Sequence, residues 1–468
     1  MKKMTAAFLT LLLVLIAGFC GMIRTVDREK DQVQFSEEVI AGDQSAADGL
    51  NITMKTHYRN HLFWDTQYRP GNIQTSETDF RFYGKDHRLP LSHSVWDVSV
   101  NLGITDIDDE VFSSDRPCTG INLAYQELYQ DTAPGEKESR EIDLQDYYEY
   151  YPLEFNFDLP GIFWSWRGSR FERLDEGSDE AIVQNKFLEF FKIPVLENSL
   201  MEISMKLDPS GIATSIGHSM GSDTCYSPYT VATHTEDQCV FSLQDGTGRK
   251  VDTSLIPGGY GLYSFSYKPV QETPEYDGPT GIDADTLQLF FPLAEEVRVI
   301  YLAPDSPQEH LIMVTEENEE YDLSVIRIAD RKLLQKQTVW NDPDESFHEI
   351  HSYDDFWVFE NQKRVVLFKR LDDGTFAPYL DVDSQLADHG IAPSSMKEMC
   401  FDGEKLAMAG VIYEGTYLNI STCDLYVTVY DQTGMIYCGT HRCSLAPNPI
   451  EEPNLLNCHP YELVLEWE

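Results

Sequence analysis

One pattern constrains this chain more than any other: a run of period-two alternation, a tight polar turn, and a second alternating run. Met201, Ile203, Met205 and Leu207 alternate with Glu202, Ser204 and Lys206, Asp208-Pro209-Ser210-Gly211 turns, and Ile212, Thr214 and Ile216 resume the alternation. Alternation sends one row of side chains into a core and the other into water. The turn has its own mechanism, because Pro presets φ and Gly supplies a positive φ. The same arrangement recurs where Leu425 to Val429 meet Asp431-Gln432-Thr433-Gly434, where Val365 to Phe368 meet Asp372-Asp373-Gly374, and where Val325 to Ile328 meet Asp330-Arg331-Lys332. Cys239 to Leu243 turn at Asp245-Gly246-Thr247-Gly248, and shorter cases lie at Arg167-Gly168-Ser169 and near Pro292. Tyr461, Leu463, Leu465 and Trp467 form a last alternating run, read as a strand paired back into the fold.

Successive turns from Gly168 to Asp208, Asp208 to Asp245 and Asp330 to Asp373 are 40, 37 and 43 residues apart. Longer steps follow Asp245 and Asp373, the latter holding the polar stretch Glu414 to Thr422, read as an insertion. A period near 40 residues per hairpin unit is that of a four-stranded propeller blade. Over residues 155–468 the chain therefore resembles the β-propeller class, and the resemblance implies an all-β body closed by its terminal strand. Asp372-Asp373-Gly374-Thr375-Phe376 departs from the Asp-box of sialidase-like propellers because Arg370 stands where Ser or Thr is usual, so no functional residue is carried over. The one helix expected in the body runs from Ser178 to Phe191, with Ile182, Phe187, Phe190 and Phe191 on one face and Pro194 stopping it.

Composition sets the limits on partners. With 468 residues, 12% of them aromatic, the chain can build a substantial core. Its net charge of −44 repels phosphate backbones and anionic lipid headgroups, which excludes nucleic acid as an expected partner.

Lys2 and Lys3 precede an uncharged run from Met4 to Ile23, after which Arg24, Asp27, Arg28, Glu29 and Lys30 follow. At about 1.5 Å per residue that run covers roughly 30 Å, the thickness of a hydrocarbon core. Residues 1–23 are thus expected to be a signal anchor whose residues 4–23 span the membrane, with the lysines inside and the body outside. Cleavage would make the body a secreted protein, and lipidation at Cys20 is a further alternative. Residues 24–56 read as a polar stalk and residues 57–468 as the all-β extracytoplasmic body.

Setting Cys20 aside leaves eight cysteines in the exported body, an even number that fits disulfides, with Cys225 and Cys239 as one expected pair. Free buried thiols are the alternative. Cys438, Cys443, Cys458 and His459 could hold zinc but lack a CxxC knuckle. Gly217-His218-Ser219-Met220-Gly221 is a literal G-x-S-x-G, but the preceding strand is the returning arm of a hairpin and turn chemistry follows, so the context of a nucleophile elbow is missing. His348-Glu349-Ile350-His351 is one residue short of HExxH, and its flanks read as a loop entering a strand. Asp106, Asp108, Asp109 and Glu110, and again Asp381, Asp383 and Asp388, offer oxygen ligands suited to calcium without completing an EF-hand loop. Tyr147, Tyr148, Tyr150 and Tyr151 with Trp164 and Trp166 would suit sugar stacking, although packing of aromatic strands accounts for them as well. Asn51-Ile52-Thr53 and Asn419-Ile420-Ser421 are glycosylation acceptors if the body is exported.

These features lead to a membrane-anchored extracytoplasmic binding or scaffold protein for a glycan or protein ligand, with no catalytic residue, no cofactor-binding residue and no metal ligand assigned and calcium the one ion entertained. The competing reading is a surface hydrolase, either a glycosidase using two carboxylates or an esterase using Ser219.

Overall fold

The computed structural model describes residues 12–21, 24, 33–58, 62–82, 97–103, 120–159, 162–164, 178–220, 226–268, 281–340, 349–361, 363–391, 396–412, 424–444 and 458–468. In chain order the strands are β1 (Phe35–Gly42), β2 (Leu50–Tyr58), β3 (Leu62–Tyr68), β4 (Glu77–Phe82) and β5 (Asp97–Leu102). Helix α1 (Ile121–Asp131) precedes β6 (Lys137–Asp143), β7 (Leu153–Leu159) and β8 (Ile162–Trp164). Helix α2 (Asp179–Phe190) is followed by β9 (Leu200–Leu207), β10 (Ala213–Met220), β11 (Pro228–His234), β12 (Gln238–Asp245), β13 (Gly261–Tyr267) and β14 (Ile282–Pro292). Then come β15 (Arg298–Pro304), β16 (His310–Glu317), β17 (Glu320–Arg327), β18 (Lys332–Trp340), β19 (Glu349–Ser352), β20 (Phe356–Glu360), β21 (Arg364–Arg370) and β22 (Phe376–Asp383). The last are β23 (Lys397–Phe401), β24 (Leu406–Ile412), β25 (Asp424–Asp431), β26 (Gly434–Cys443) and β27 (Cys458–Trp467).

The chain forms two compact units, residues 1–92 with 345–468, and residues 93–344. In the first unit β19 to β22 form an up-and-down antiparallel meander, as do β23 to β26. A third sheet runs β27-β2-β3-β4, so the last strand of the chain is the first strand of a sheet otherwise made near its beginning. Strand β1 pairs with β26 as a fifth, edge strand. The faces between sheets are filled by apolar rows: Ile52, Met54, Val427, Val429 and Leu465 in one layer, Val358, Leu367, Met408 and Tyr426 in another. In the second unit β11 to β14 and β15 to β18 are again meanders, with β5, β11 and β15 side by side at their first strands. Four-stranded antiparallel meanders with adjacent first strands are the blade pattern of the propeller class.

Apart from the three-stranded sheet β5-β7-β8, one sheet remains, β10-β9-β6, and it interrupts that pattern. Its strands are intercalated with β7 and β8, and the hydroxyls of Tyr125 and Tyr129 on α1 donate to carbonyls of Gly217 and Gly211 on and beside its edge strand. The hairpin read from residues 201–216 is here, with its turn as expected: Asp208 Oδ1 accepts from Ser210 N and Ile212 N, and Gly211 takes φ 85°. The alternation expected of its return arm is not kept, because the register shifts between Ala213 and Ser215 and leaves Ile212 and Thr214 exposed. Helix α2 is capped by Ser178, whose hydroxyl accepts from Ala181 N. Its buried face is Val183, Phe187 and Phe191, in contact with Phe157, Phe241 and Phe265. Ile182, expected on that face, is 47% exposed, because the stripe falls one position later.

Several expectations are corrected. The stalk read over residues 24–56 contains β1 and most of β2, since Leu50, Ile52 and Met54 are themselves a short alternating row and all three are buried. The turn near Pro292 joins two sheets rather than two strands of one. The Asp245 turn is formed, but its return strand begins only at Gly261. Helix α1 was not foreseen. Residues 12–21 are helical with their side chains exposed, while residues 1–11 lie outside the described residues. Among the described residues no helix is long and apolar enough to cross a membrane. The Gly168 turn, the stretch Glu414 to Thr422, the cluster Asp106 to Glu110, Trp166 and Asn419 also lie outside the described residues.

Candidate functional site

Strands β19 and β20 pair so that Glu349 stands directly opposite Glu360, and His351, two residues along β19, shares their face. Two carboxylates directly across a ladder repel, so the pairing requires cations beside them. His351 supplies one, with Nε2 lying 3.3 Å from a carboxylate oxygen of each glutamate. Lys397, the first residue of β23, supplies the other: its Nζ lies 3.0 Å from Glu349 and also donates to Glu360. The side chains of Glu360 and Lys397 are 4% and 5% exposed, whereas that of Glu349 is 38% exposed, so the group opens to solvent on the Glu349 side.

The electrostatics follow from this closure. Burial pulls His351 down, but its hydrogen bonds to Glu349 and Glu360 and the charge of Glu360 outweigh it and push it up to about 9. Glu349 is held down at about 2, first by its hydrogen bond with His351 and then by Lys397, against the opposing effect of burial. Burial lowers Lys397, and the two carboxylates reverse that and raise it. Two anions and two cations thus form a charge-balanced quartet. A general acid needs a carboxyl raised toward neutrality, and Glu349 is displaced the other way.

Tyr426 completes the surroundings. On β25 it pairs with Gly410 of β24, and Gly410 pairs with Lys397 of β23, so the three lie in one row across the sheet. A Cβ on Gly410 would fall 2.5 Å from the Cε1, Cζ and Oη of Tyr426. The ring therefore crosses β24 over a residue without a side chain, and its hydroxyl is carried toward Lys397. That hydroxyl is buried without a hydrogen-bond partner. Burial raises it, and the charges of Glu360 and Glu349 raise it further.

His351 and Glu349 belong to the His348-Glu349-Ile350-His351 stretch singled out from the sequence, but the structure joins them to Glu360 and Lys397, and His348 lies outside the described residues. Glu360 carried a signal that sequence reading passed over: it ends Phe356 to Glu360, a strand buried at every position, where an acid needs a partner. Ser219 sits within β10, exposed and paired with Glu202 in an antiparallel sheet, not at the end of a parallel strand. Asp381 is held by Arg364 through two hydrogen bonds of 2.6 and 2.7 Å, and Asp383 and Asp388 do not gather with it. Tyr151 is buried, its hydroxyl sharing a hydrogen bond with Ser199, and the Tyr148 hydroxyl accepts from Ile121 N, so these tyrosines pack the fold and start α1. Cys400 and Cys438 are free thiols, pushed up mainly by burial to about 12 and about 11. Cys225 and the side chain of Cys458 lie outside the described residues, so the expected Cys225–Cys239 pair does too.

No protein-family model matches this sequence, and no curated protein does. Among solved structures, the chain is similar to a Bacteroides fragilis protein provisionally assigned as a 6-phosphogluconolactonase, at 10% identity and TM-score 0.33, over 91% of this chain and 100% of that one. It is similar to the β-propeller domain of Myceliophteria thermophila Cps50 at 9% identity and TM-score 0.24, over 52% of this chain and 69% of that one. It is also similar to the β-propeller domain of the Trilobed protease from Pyrococcus furiosus, at 8% identity and TM-score 0.22, over 53% and 65% of the two chains.

Proposed function

We propose that this chain is a binding or scaffold module: a propeller-like body held on the outer side of a membrane by residues 4–23, for a glycan or protein ligand. The observation that carries the non-enzymatic part is the Glu349-His351-Glu360-Lys397 quartet. The carboxylates gathered there are neutralised by their own neighbours, and Glu349 is driven away from the range of an acid catalyst. Glycoside hydrolysis needs one carboxyl kept protonated and its partner some distance off. Glu349 and Glu360, bridged by the same two cations, offer neither. The anchoring part is supported by the uncharged run Met4 to Ile23 and by the exposed apolar side chains of Leu12 to Ile16.

Two measurements test the reading. Protease added outside intact cells is expected to digest the body, and carbonate washing to leave the chain in the membrane fraction. A body protected until lysis would overturn the topology. Purified protein screened against glycan and peptide arrays is expected to bind without turnover, and hydrolysis of any ligand it retains would restore the enzymatic reading.

A further inference from the structure

The geometry points to a divalent transition-metal site formed by Glu349, His351 and Glu360, with the Tyr426 hydroxyl bonded to a metal-bound water. It uses the same quartet as the proposed function, and metal binding without turnover leaves that reading standing. The three side chains offer an imidazole nitrogen and two carboxylate oxygens, all within 4.8 Å of one another. Nitrogen together with carboxylate suits zinc or manganese, whereas calcium takes oxygen alone. The spacing is informative. His351 Nε2 is 3.3 Å from each carboxylate, longer than a good N–H···O bond. Two ligands about 2.1 Å from one tetrahedral ion stand roughly 3.4 Å apart, so the imidazole already sits at ligand-to-ligand separation from both acids.

Tyr426 supplies the independent observation. Its hydroxyl is fully buried, lacks a partner, and is directed over Gly410 toward the row that holds Lys397. A buried hydroxyl without a partner is costly, and a water on an ion held by Glu360 would satisfy it. Lys397 then has a defined part. Its ammonium is the cation that holds the two carboxylates together when no ion is bound, and an entering metal exchanges against it. Glu349, the exposed member, is the way in.

The test uses the full-length chain in detergent, stripped of metal and titrated with Zn²⁺ by calorimetry and thermal unfolding, with Mg²⁺ as the oxygen-preferring comparison. One Zn²⁺ per chain is expected, with H351Q and E349Q weakening it at least tenfold and Y426F by roughly tenfold, as for loss of an outer partner. K397M removes the competing cation, so it is expected to bind Zn²⁺ more tightly, and Zn²⁺ is expected to restore the thermal midpoint that this substitution lowers. Absence of binding in both the wild type and K397M would overturn the site. So would binding that H351Q and E349Q leave unchanged, since the zinc would then be held elsewhere on the acidic surface. If K397M does not fold, the wild type with E349Q decides, because Glu349 is the exposed member of the group, and H351Q is read beside them where its thermal midpoint shows that it folds.

Discussion

At the scale of single residues, His441 is the sharpest case of burial setting chemistry. It stands opposite Glu37 on β1, and the Tyr437 hydroxyl donates to Glu37 at 2.6 Å, so that hydroxyl accepts from His441 Nε2 at 3.1 Å. His441 Nδ1 is left buried with no partner, against the ring of Tyr68. A second proton would have no acceptor there, and burial lowers the histidine to about 4, only partly offset by the charge of Glu37. The sign follows directly: between about pH 6.5 and 4 the unfolded chain takes up a proton that the folded chain refuses, so stability falls as pH drops through that window. Urea unfolding of wild type and H441Q across pH 4 to 7 is expected to show a steeper acid loss in the wild type, and parallel curves would remove His441 from the account. Nothing in the sequence announced this residue. Its burial comes from β1, which sequence reading placed in a stalk. The quartet was legible only in part: Glu349 and His351 stood out as a near-motif, but Glu360 joins them through the pairing of β19 with β20, and Lys397 reaches Glu360 from another sheet and 37 residues further on, which no local pattern encodes.

At the scale of elements, hairpins were readable and helices less so. A hairpin whose turn carries Asp and Gly states its geometry locally, as Asp431 shows by accepting from Thr433 N at 2.7 Å while Gly434 takes φ 128°. Helix α2 was found by its stop and its aromatic spacing, but which of two adjacent stripes is buried depends on what it meets. Its Gln184 amide accepts from Phe155 N at 3.2 Å and donates to the Phe155 carbonyl, taking the place of a strand neighbour on β7. That contact turns Val183 and Phe187 inward and Ile182 outward. Phe187→Ala is therefore expected to cost roughly 3–5 kcal/mol, the usual range for a buried phenylalanine. Ile182→Ser is expected to stay within about 0.5 kcal/mol, as for a surface change. Denaturant unfolding of the two variants reads this directly, and the reverse order would mean that the helix is docked by the other stripe.

At the scale of the molecule, charge is the governing quantity. With −44 spread over an all-β body, like charges repel, and the ion pairs on its surface, such as Lys55 with Glu462 and Lys250 with Glu296, offset little of it. Salt shortens the reach of that repulsion, from about 30 Å at 0.01 M to about 8 Å at 0.15 M. The thermal midpoint is expected to rise over that range, and a fall would mean that specific ion pairs outweigh the repulsion. Net charge was wholly visible in the sequence; the division into two units was not. It separates residues 93–344 from a unit assembled from both ends of the chain, and such an assembly leaves no mark in local composition.

The sheet β27-β2-β3-β4 sets an order of events. A ribosome delivers residues 50–82 long before residues 458–467, yet β2 pairs with β27 along its whole length. Between the two, one edge of β2 waits without its neighbour while the intervening unit can already fold. The newborn chain is most exposed to mispairing during that interval, and a chaperone guarding it would have most to do at β2.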